Sequence, residues 1–452
     1  MNYFISLKKQ NLIINLLLAL FPITYIGGNF FVNANLFLFC IFGLFLIKKV
    51  DLQIFKEKKI ILIWFFFIYL LIVSFYHDTD NQQIEKSLLF LRYLLFFLIT
   101  SILLKNEMLN LNFFFLSALI LSSLVSLDIL FQYNYGYDIF GFEPVASANS
   151  KATIYHYPGP FNEEAMAGGY LISFFPIGIF ALIIFSDLIK KYFSLIFVSF
   201  FSICSTAIML AGNRMPFIMI IILTFIIIFF IKKVRYHSLV SLIICSIIFG
   251  FIYNTNSNFK TYYLSFFDNS IFIAKILKKE IFNTERSKPE YIVANKVVNQ
   301  ASAHKNYNMG SGHIQTYLTS LDIIKDNVIF GQGIRSFRIK CNKFINYETG
   351  ERQINRVCNT HPHNYYLEII SDSGLIGLLI FLFFIYLIIF KKIKFFFKYS
   401  EKNYYNIAFV IIILITLFPF KSSGSFFSTQ SATYLFLIMS LLNNERKLSK
   451  FN

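Results

Sequence analysis

Two histidines flank a proline in Thr360-His361-Pro362-His363-Asn364-Tyr365-Tyr366-Leu367-Glu368, with Asp372 and Gly374-Leu375-Ile376-Gly377 close behind. An imidazole titrates near neutral pH, so His363 can take a proton from a hydroxyl group. The i, i+4, i+7 spacing puts His363, Leu367 and Ile370 on one helical face and predicts a ring projecting from a helix. His361, placed before a proline, reads as an ordinary loop residue. H-x-H is a poor ligand set by itself, and no neighbouring Cys or carboxylate pattern completes a zinc site, so no metal is expected. Arg214 lies in Ala211-Gly212-Asn213-Arg214-Met215-Pro216, a tight turn between apolar runs. Its planar guanidinium suits a phosphate through two parallel hydrogen bonds; the plainer role is an interfacial arginine reaching from a helix end. Gly331-Gln332-Gly333-Ile334-Arg335-Ser336-Phe337-Arg338 is a glycine-flexed turn with two more guanidinium groups. Glu163 and Glu164, in Pro158-Gly159-Pro160-Phe161-Asn162-Glu163-Glu164, offer a carboxylate that orients a hydroxyl or the histidine, or caps the helix that follows.

These groups need a scaffold, and the composition says which. The chain has 452 residues, 56% hydrophobic, 19% aromatic and 14% charged, against about 25% charged in soluble domains. Mean hydropathy is +0.61. About twelve apolar segments approach the length of a membrane-crossing helix: 11–27, 31–47, 60–76, 87–104, 111–132, 165–186, 192–211, 215–231, 237–253, 374–390, 405–420 and 427–442. A soluble enzyme, a disordered chain and a disulfide mini-domain are excluded. No G-x-x-x-x-G-K-[ST] loop is present, which argues against a nucleotide-driven pump. The expectation is an all-α polytopic membrane protein.

The net charge is +17, and its placement sets orientation before it suggests a partner. Lys8 and Lys9, Lys48 to Lys59, Lys105, Lys190 and Lys191, Lys232 to Arg235, Lys391 to Lys402, and Arg446 to Lys450 fall on one side if both termini are cytoplasmic. The short loops opposite carry few cations: Lys86, Lys151, Arg214 and Lys421. Three regions follow: helices one to nine over 1–253, a large periplasmic loop over 254–373, and helices ten to twelve with a cytoplasmic tail over 374–452. Residues 254–366 hold ten Lys and five Arg against eight acidic residues, a net charge of +7. A basic loop on the outer side reads as an electrostatic funnel for a phosphate or polyanion, with no nucleic acid involved. Cys341 and Cys358 lie in this loop, and a disulfide between them would pin the segment before His361. Arg92 and Asp128, at similar depth on successive spans, are expected to form a buried ion pair.

The motifs together resemble the O-antigen ligase and O-antigen polymerase superfamily. His363-Asn364, nine residues, then Gly374-x-x-Gly377 is similar to its H-N-x9-G-x-x-G signature. Asp128-x-x-x-Gln132-x-x-x-Gly136-x-Asp138-x-x-Gly141, Gly212-x-Arg214, and Asp326-Asn327-x-x-x-Gly331-Gln332-Gly333 occur in the matching order over about residues 85–435. The resemblance implies a GT-C type fold with a mainly helical loop, and a metal-independent, inverting glycosyltransferase without cofactor. The donor would be a glycan on undecaprenyl diphosphate. A ligase passes it to lipid A–core, and a polymerase to a lipid-linked repeat. Arg214 and His363 match by motif as the diphosphate holder and the base; from the residues themselves, Glu163 is read as orienting the acceptor or the histidine, and Asn364, Gly374, Gly377, Arg92 and Asp128 as supporting. The family's Ser-Gly-Arg element is Ser311-Gly312-His313 here, so His313, Arg335 or Arg338 must stand in for the second clamp. A lipid-linked oligosaccharide transporter is the competing class, but such folds show repeated halves, and none is visible.

Overall fold

The computed structural model describes residues 9–77, 81–149, 152–162, 164, 166–264, 291–293, 312–344, 351–353, 356–399 and 404–443. Runs of Phe, Ile and Leu form α1 (Lys9–Ile26), α2 (Asn29–Leu46), α3 (Lys58–His77), α4 (Gln82–Lys105) and α5 (Leu111–Tyr135). A hairpin of β1 (Val145–Asn149) and β2 (Ala152–His156) follows, paired from Val145 opposite His156 to Asn149 opposite Ala152. Then come α6 (Ala167–Ile184), α7 (Phe193–Leu210), α8 (Arg214–Phe230) and α9 (Arg235–Thr255). The large loop contributes helix 257–264, β3 (Tyr291–Val293), α10 (Gly312–Asp326), α11 (Ser336–Lys340) and β4 (Glu351–Gln353), with β3 antiparallel to β4. The chain then forms α12 (Tyr365–Tyr399), α13 (Tyr404–Thr416) and α14 (Thr429–Leu442).

Among the described residues eight helices are long and apolar enough to cross a membrane, and four shorter apolar helices accompany them. Helices satisfy their own backbone polar groups, which a hydrocarbon medium demands. α6, α13 and α14 are buried almost along their length, so they form the centre of the bundle. α2 and α9 turn Phe30, Phe37, Phe45, Ile243, Ile247 and Phe251 outward, the apolar surface that lipid covers.

α4 defines two opposite ends, about 36 Å apart by helical rise. At one end Lys105 meets Glu57 at 3.4 Å and Lys59 donates to the Asn443 carbonyl at 3.3 Å. At the other, the Gln83 amide donates to the Gln332 carbonyl at 3.0 Å, tying α4 to the large loop.

α12 is two helices joined at a break. Gly374 has φ 64° and ψ −172°, a left-handed value that favours glycine. Residues 328–333 dock into this break: Gln332 and Gly333 donate to the carbonyls of Ser371 and Asp372 at 3.0 and 2.8 Å, and Leu375 donates to Val328 at 2.8 Å. A side-chain carbon at Gly374 would overlap the Ile329 carbonyl, and one at Gly331 the Gly374 amide. At Gly377 it would overlap the Ser373 hydroxyl. The glycines of the H-N-x9-G-x-x-G pattern therefore shape this junction.

Candidate active site

α10 and the strand-like segment before His361 run antiparallel. Thr316, Thr319 and Asp322 recur every three residues and share a face. They receive Asn359 Nδ2 at 3.1 Å, the Val357 amide at 3.1 Å and Arg356 Nε at 2.6 Å. Three residues earlier on α10 stands His313, and the opposing chain reaches His361 and His363 at that level. The His313 and His363 rings lie 4.7 Å apart edge to face, and those of His361 and His363 lie 4.2 Å apart. A disulfide joins Cys341 to Cys358 across 5.1 Å between Cα atoms, fixing the same segment to the end of α11.

His363 does not sit on a helix face. It precedes α12 with φ 55°, so the expected alignment with Leu367 and Ile370 does not form. The left-handed conformation costs energy in a non-glycine residue and is held by its surroundings: the Ser423 amide donates to the His363 carbonyl at 2.9 Å. Asn364 does two jobs. Its Oδ1 accepts from the amides of Tyr366 and Leu367 at 3.0 and 3.2 Å, capping the helix, and its Nδ2 donates to the Pro419 carbonyl at 2.7 Å. One turn on, Glu368 accepts from Ser425 Oγ and the Phe426 amide, each at 2.6 Å. A further turn on, Asp372 accepts from the amides of Arg335 and Ser336, both at 3.0 Å. One face of α12 thus grips the 417–428 loop and the glycine turn.

Burial pushes the pKa of His313 down to about 4, helped by the charges of His363 and Arg214. Burial also takes His361 to about 4, with His363 adding to the effect and the Ser423 backbone opposing it. His363 is lowered by burial and drawn back by the same Ser423 backbone. All three rings are mainly neutral at pH 7, with lone pairs able to accept protons. His361, read from sequence as an ordinary loop residue, belongs to this row.

Arg214 opens α8 beside the row, close enough for its charge to act on His313. Its guanidinium stands 4.4 Å above the Tyr262 ring and donates to the Tyr262 carbonyl at 3.4 Å. The Tyr262 hydroxyl donates to the Gly212 carbonyl, and His156 meets the Tyr262 ring edge-on at 5.5 Å. Gly212 has φ 70°, and a side-chain carbon there would overlap the His156 ring. Helix 257–264 and the β2 end thus clamp the arginine turn. Nothing in the sequence singles out Tyr262 or His156, because both are remote from Arg214 along the chain.

Other expectations are corrected. Arg92 donates to Tyr93 Oη at 2.6 Å and Thr429 Oγ1 at 3.3 Å. Asp128 accepts from the Ile139 amide at 2.9 Å. Among the described residues no ion pair joins them; each has a nearer partner that leaves its helix packed. The motif around Asp128 folds on itself, with Gln132 donating to the Phe142 carbonyl at 3.0 Å and Asp138 accepting from the Phe142 amide at 2.7 Å. Glu163 lies outside the described residues. Glu164 is exposed and does not cap α6; the amide of Gly168 donates instead to Asn213 Oδ1 at 3.0 Å. The Arg335 backbone amide is anchored at Asp372, eight residues and about 12 Å along α12 from Asn364. Arg335 there feels the charges of Arg338, Glu85 and Asp372.

The multi-pass membrane protein thus carries a row of neutral imidazoles and a guanidinium at its large-loop end. Residues 197–382 match the family model described as O-antigen ligase. The matched stretch runs from α7 through the break in α12 and includes Arg214, His313, His361 and His363. Enzymes of the bacterial O-antigen ligase and polymerase family catalyse glycosyl transfer from lipid-linked glycans. No curated protein matches the chain.

Proposed function

We propose that the protein is an O-antigen ligase that moves a glycan from undecaprenyl diphosphate to lipid A–core at the periplasmic face of the bacterial inner membrane. The observation that carries this reading is the row Arg214, His313, His363, in which a fixed cation adjoins neutral imidazoles. His363 is the base. The neutral ring keeps a nitrogen lone pair that can accept the acceptor's hydroxyl proton. The acceptor oxygen attacks the anomeric carbon, the bond to the phosphate oxygen breaks, and undecaprenyl diphosphate leaves with its charge held by Arg214. One direct displacement inverts the anomeric centre. No metal or cofactor takes part, since the donor already carries an activated leaving group. His361 and Asn364 fix His363, and Gly374 and Gly377 fix the helix behind it.

In this reading all twelve apolar helices cross the membrane in a GT-C type arrangement. Both termini are cytoplasmic, and residues 254–373 form the periplasmic loop between the 1–253 and 374–452 regions. Support comes from the gathering of Lys59 and Lys105 at the end opposite His363. The family equally contains polymerases that join lipid-linked repeats. Deleting the gene and running lipopolysaccharide gels separates the two. Core without O-antigen, and polymer left on undecaprenyl diphosphate, is expected; core bearing single repeats would make the protein a polymerase, and an unchanged profile would remove both. A covalent glycosyl-enzyme detected by mass spectrometry would rule out the single displacement.

A further inference from the structure

A lipid diphosphate carries at least two negative charges at neutral pH, and Arg214 supplies one positive charge. His313 occupies the position where a second cation is wanted, yet its ring is uncharged at pH 7. The Arg335 backbone is tied to Asp372, about two turns along α12 from Asn364. A further cation, Lys421, reaches this end of the molecule from a third direction. The turn between α13 and α14 is stitched to the imidazole row from both sides: Asn364 Nδ2 donates to the carbonyls of Pro419 and Lys421 at 2.7 and 3.4 Å, and the Ser423 amide donates to the His363 carbonyl at 2.9 Å. Lys421 sits in the middle of that stitch. Its neighbour Phe420 is 80% exposed, whereas Lys421 is only half-exposed. Among the described residues its ammonium has neither a hydrogen bond nor an ion pair. The surrounding protein lowers its pKa to about 8 by desolvation, so it is still mainly charged at pH 7. An ammonium withdrawn from water with no counter-charge is costly to keep, and an anionic ligand would repay that cost.

We propose that Lys421 is the second cation for the lipid diphosphate, acting with Arg214 from opposite ends of the imidazole row. The inference rests on the transferase reading above and adds to it a residue that spacing and motif did not assign. Lys421 binds the phosphate oxygens as a mobile point charge, whereas Arg214 is held by Tyr262.

The test uses the full chain in lipid nanodiscs, titrated with undecaprenyl diphosphate and with undecaprenyl monophosphate. In Lys421→Met the diphosphate should bind roughly 10-fold or more weakly, the loss of one charge-assisted contact. The monophosphate should lose less, and Lys421→Arg should restore most of the affinity. Without ligand, Lys421→Met should melt at or above the wild-type temperature, because a desolvated charge has been removed. Diphosphate binding within roughly 2-fold of wild type overturns the proposal, as does a lower melting temperature that accounts for the loss. If Arg214→Gln abolishes binding while Lys421→Met does not, the transferase reading stands and this proposal alone falls. If the wild type binds neither lipid and transfers no glycan, both fall together.

Discussion

At His363 the backbone adopts a conformation that few side chains choose, and three neighbours keep it there: the Ser423 amide, the Asn364 cap and the His313 ring. The lowered pKa has a direct consequence for rate. A base depressed below the ordinary 6.5 stays unprotonated to lower pH. The acid limb of kcat/KM should therefore fall below pH 6.5, and a limb above that value would exclude His363 as the base. His363→Gln should abolish transfer while leaving lipid-diphosphate binding intact. Arg214 depends on its support. Replacing Tyr262 by Leu removes the ring under the guanidinium, a contact worth about 0.5–2 kcal/mol. The donor KM should then rise while the pH profile stays fixed, and an unchanged KM would show that the ring does not hold the arginine.

At the scale of elements, the break in α12 organises the site. Residues 328–333 fill the gap at Gly374, and Asp372 holds the turn that follows. Gly374→Ala should cost on the order of 1–3 kcal/mol in backbone strain alone, with more from overlap at the Ile329 carbonyl. Its expected signature is a lower melting temperature together with lost activity; a stable, active variant would mean that the break is not needed. The disulfide closes a 17-residue separation, for which chain entropy suggests about 3 kcal/mol. Cys341→Ser should loosen the 356–363 segment, seen as faster amide exchange there with little change in the helices near Lys105. Uniform exchange would show that the bridge does not act locally.

For the molecule as a whole, the imidazole row links stability to acidity. The unfolded chain takes up protons near pH 6.5, whereas folded His313 and His361 resist them until about pH 4. In that window the unfolded state binds more protons, so stability falls as pH drops from about 6.5 toward 4. Thermal melts at pH 7.5, 6.5 and 5.5 should show the decline, and His361→Gln should flatten it. The overall architecture also places the two kinds of surface charge. Lys59 and Lys105 gather at one end of α4, and Lys421, in the turn stitched to His363, lies at the other. Tags inserted at 150 and at the chain ends should therefore label from opposite sides of the membrane; labelling from one side would break the assigned topology.

Composition and the rhythm of apolar runs were enough to define a helical membrane protein, because a bilayer demands long stretches that satisfy their own backbone. Motif spacing alone picked out His363, Asn364 and Arg214, since an imidazole and a guanidinium are rare residue types at such boundaries. It also paired Cys341 with Cys358. What it could not decide was which side chains meet. The partnership of Arg214 with Tyr262 and His156, the recruitment of His361 and His313, and the separate anchoring of Arg92 and Asp128 arise between segments far apart in the chain. Helical periodicity reports one element's face and carries no information about the element opposite. Only packing fixes that, and with it which histidine is desolvated enough to stay neutral and which lysine is left without a counter-charge.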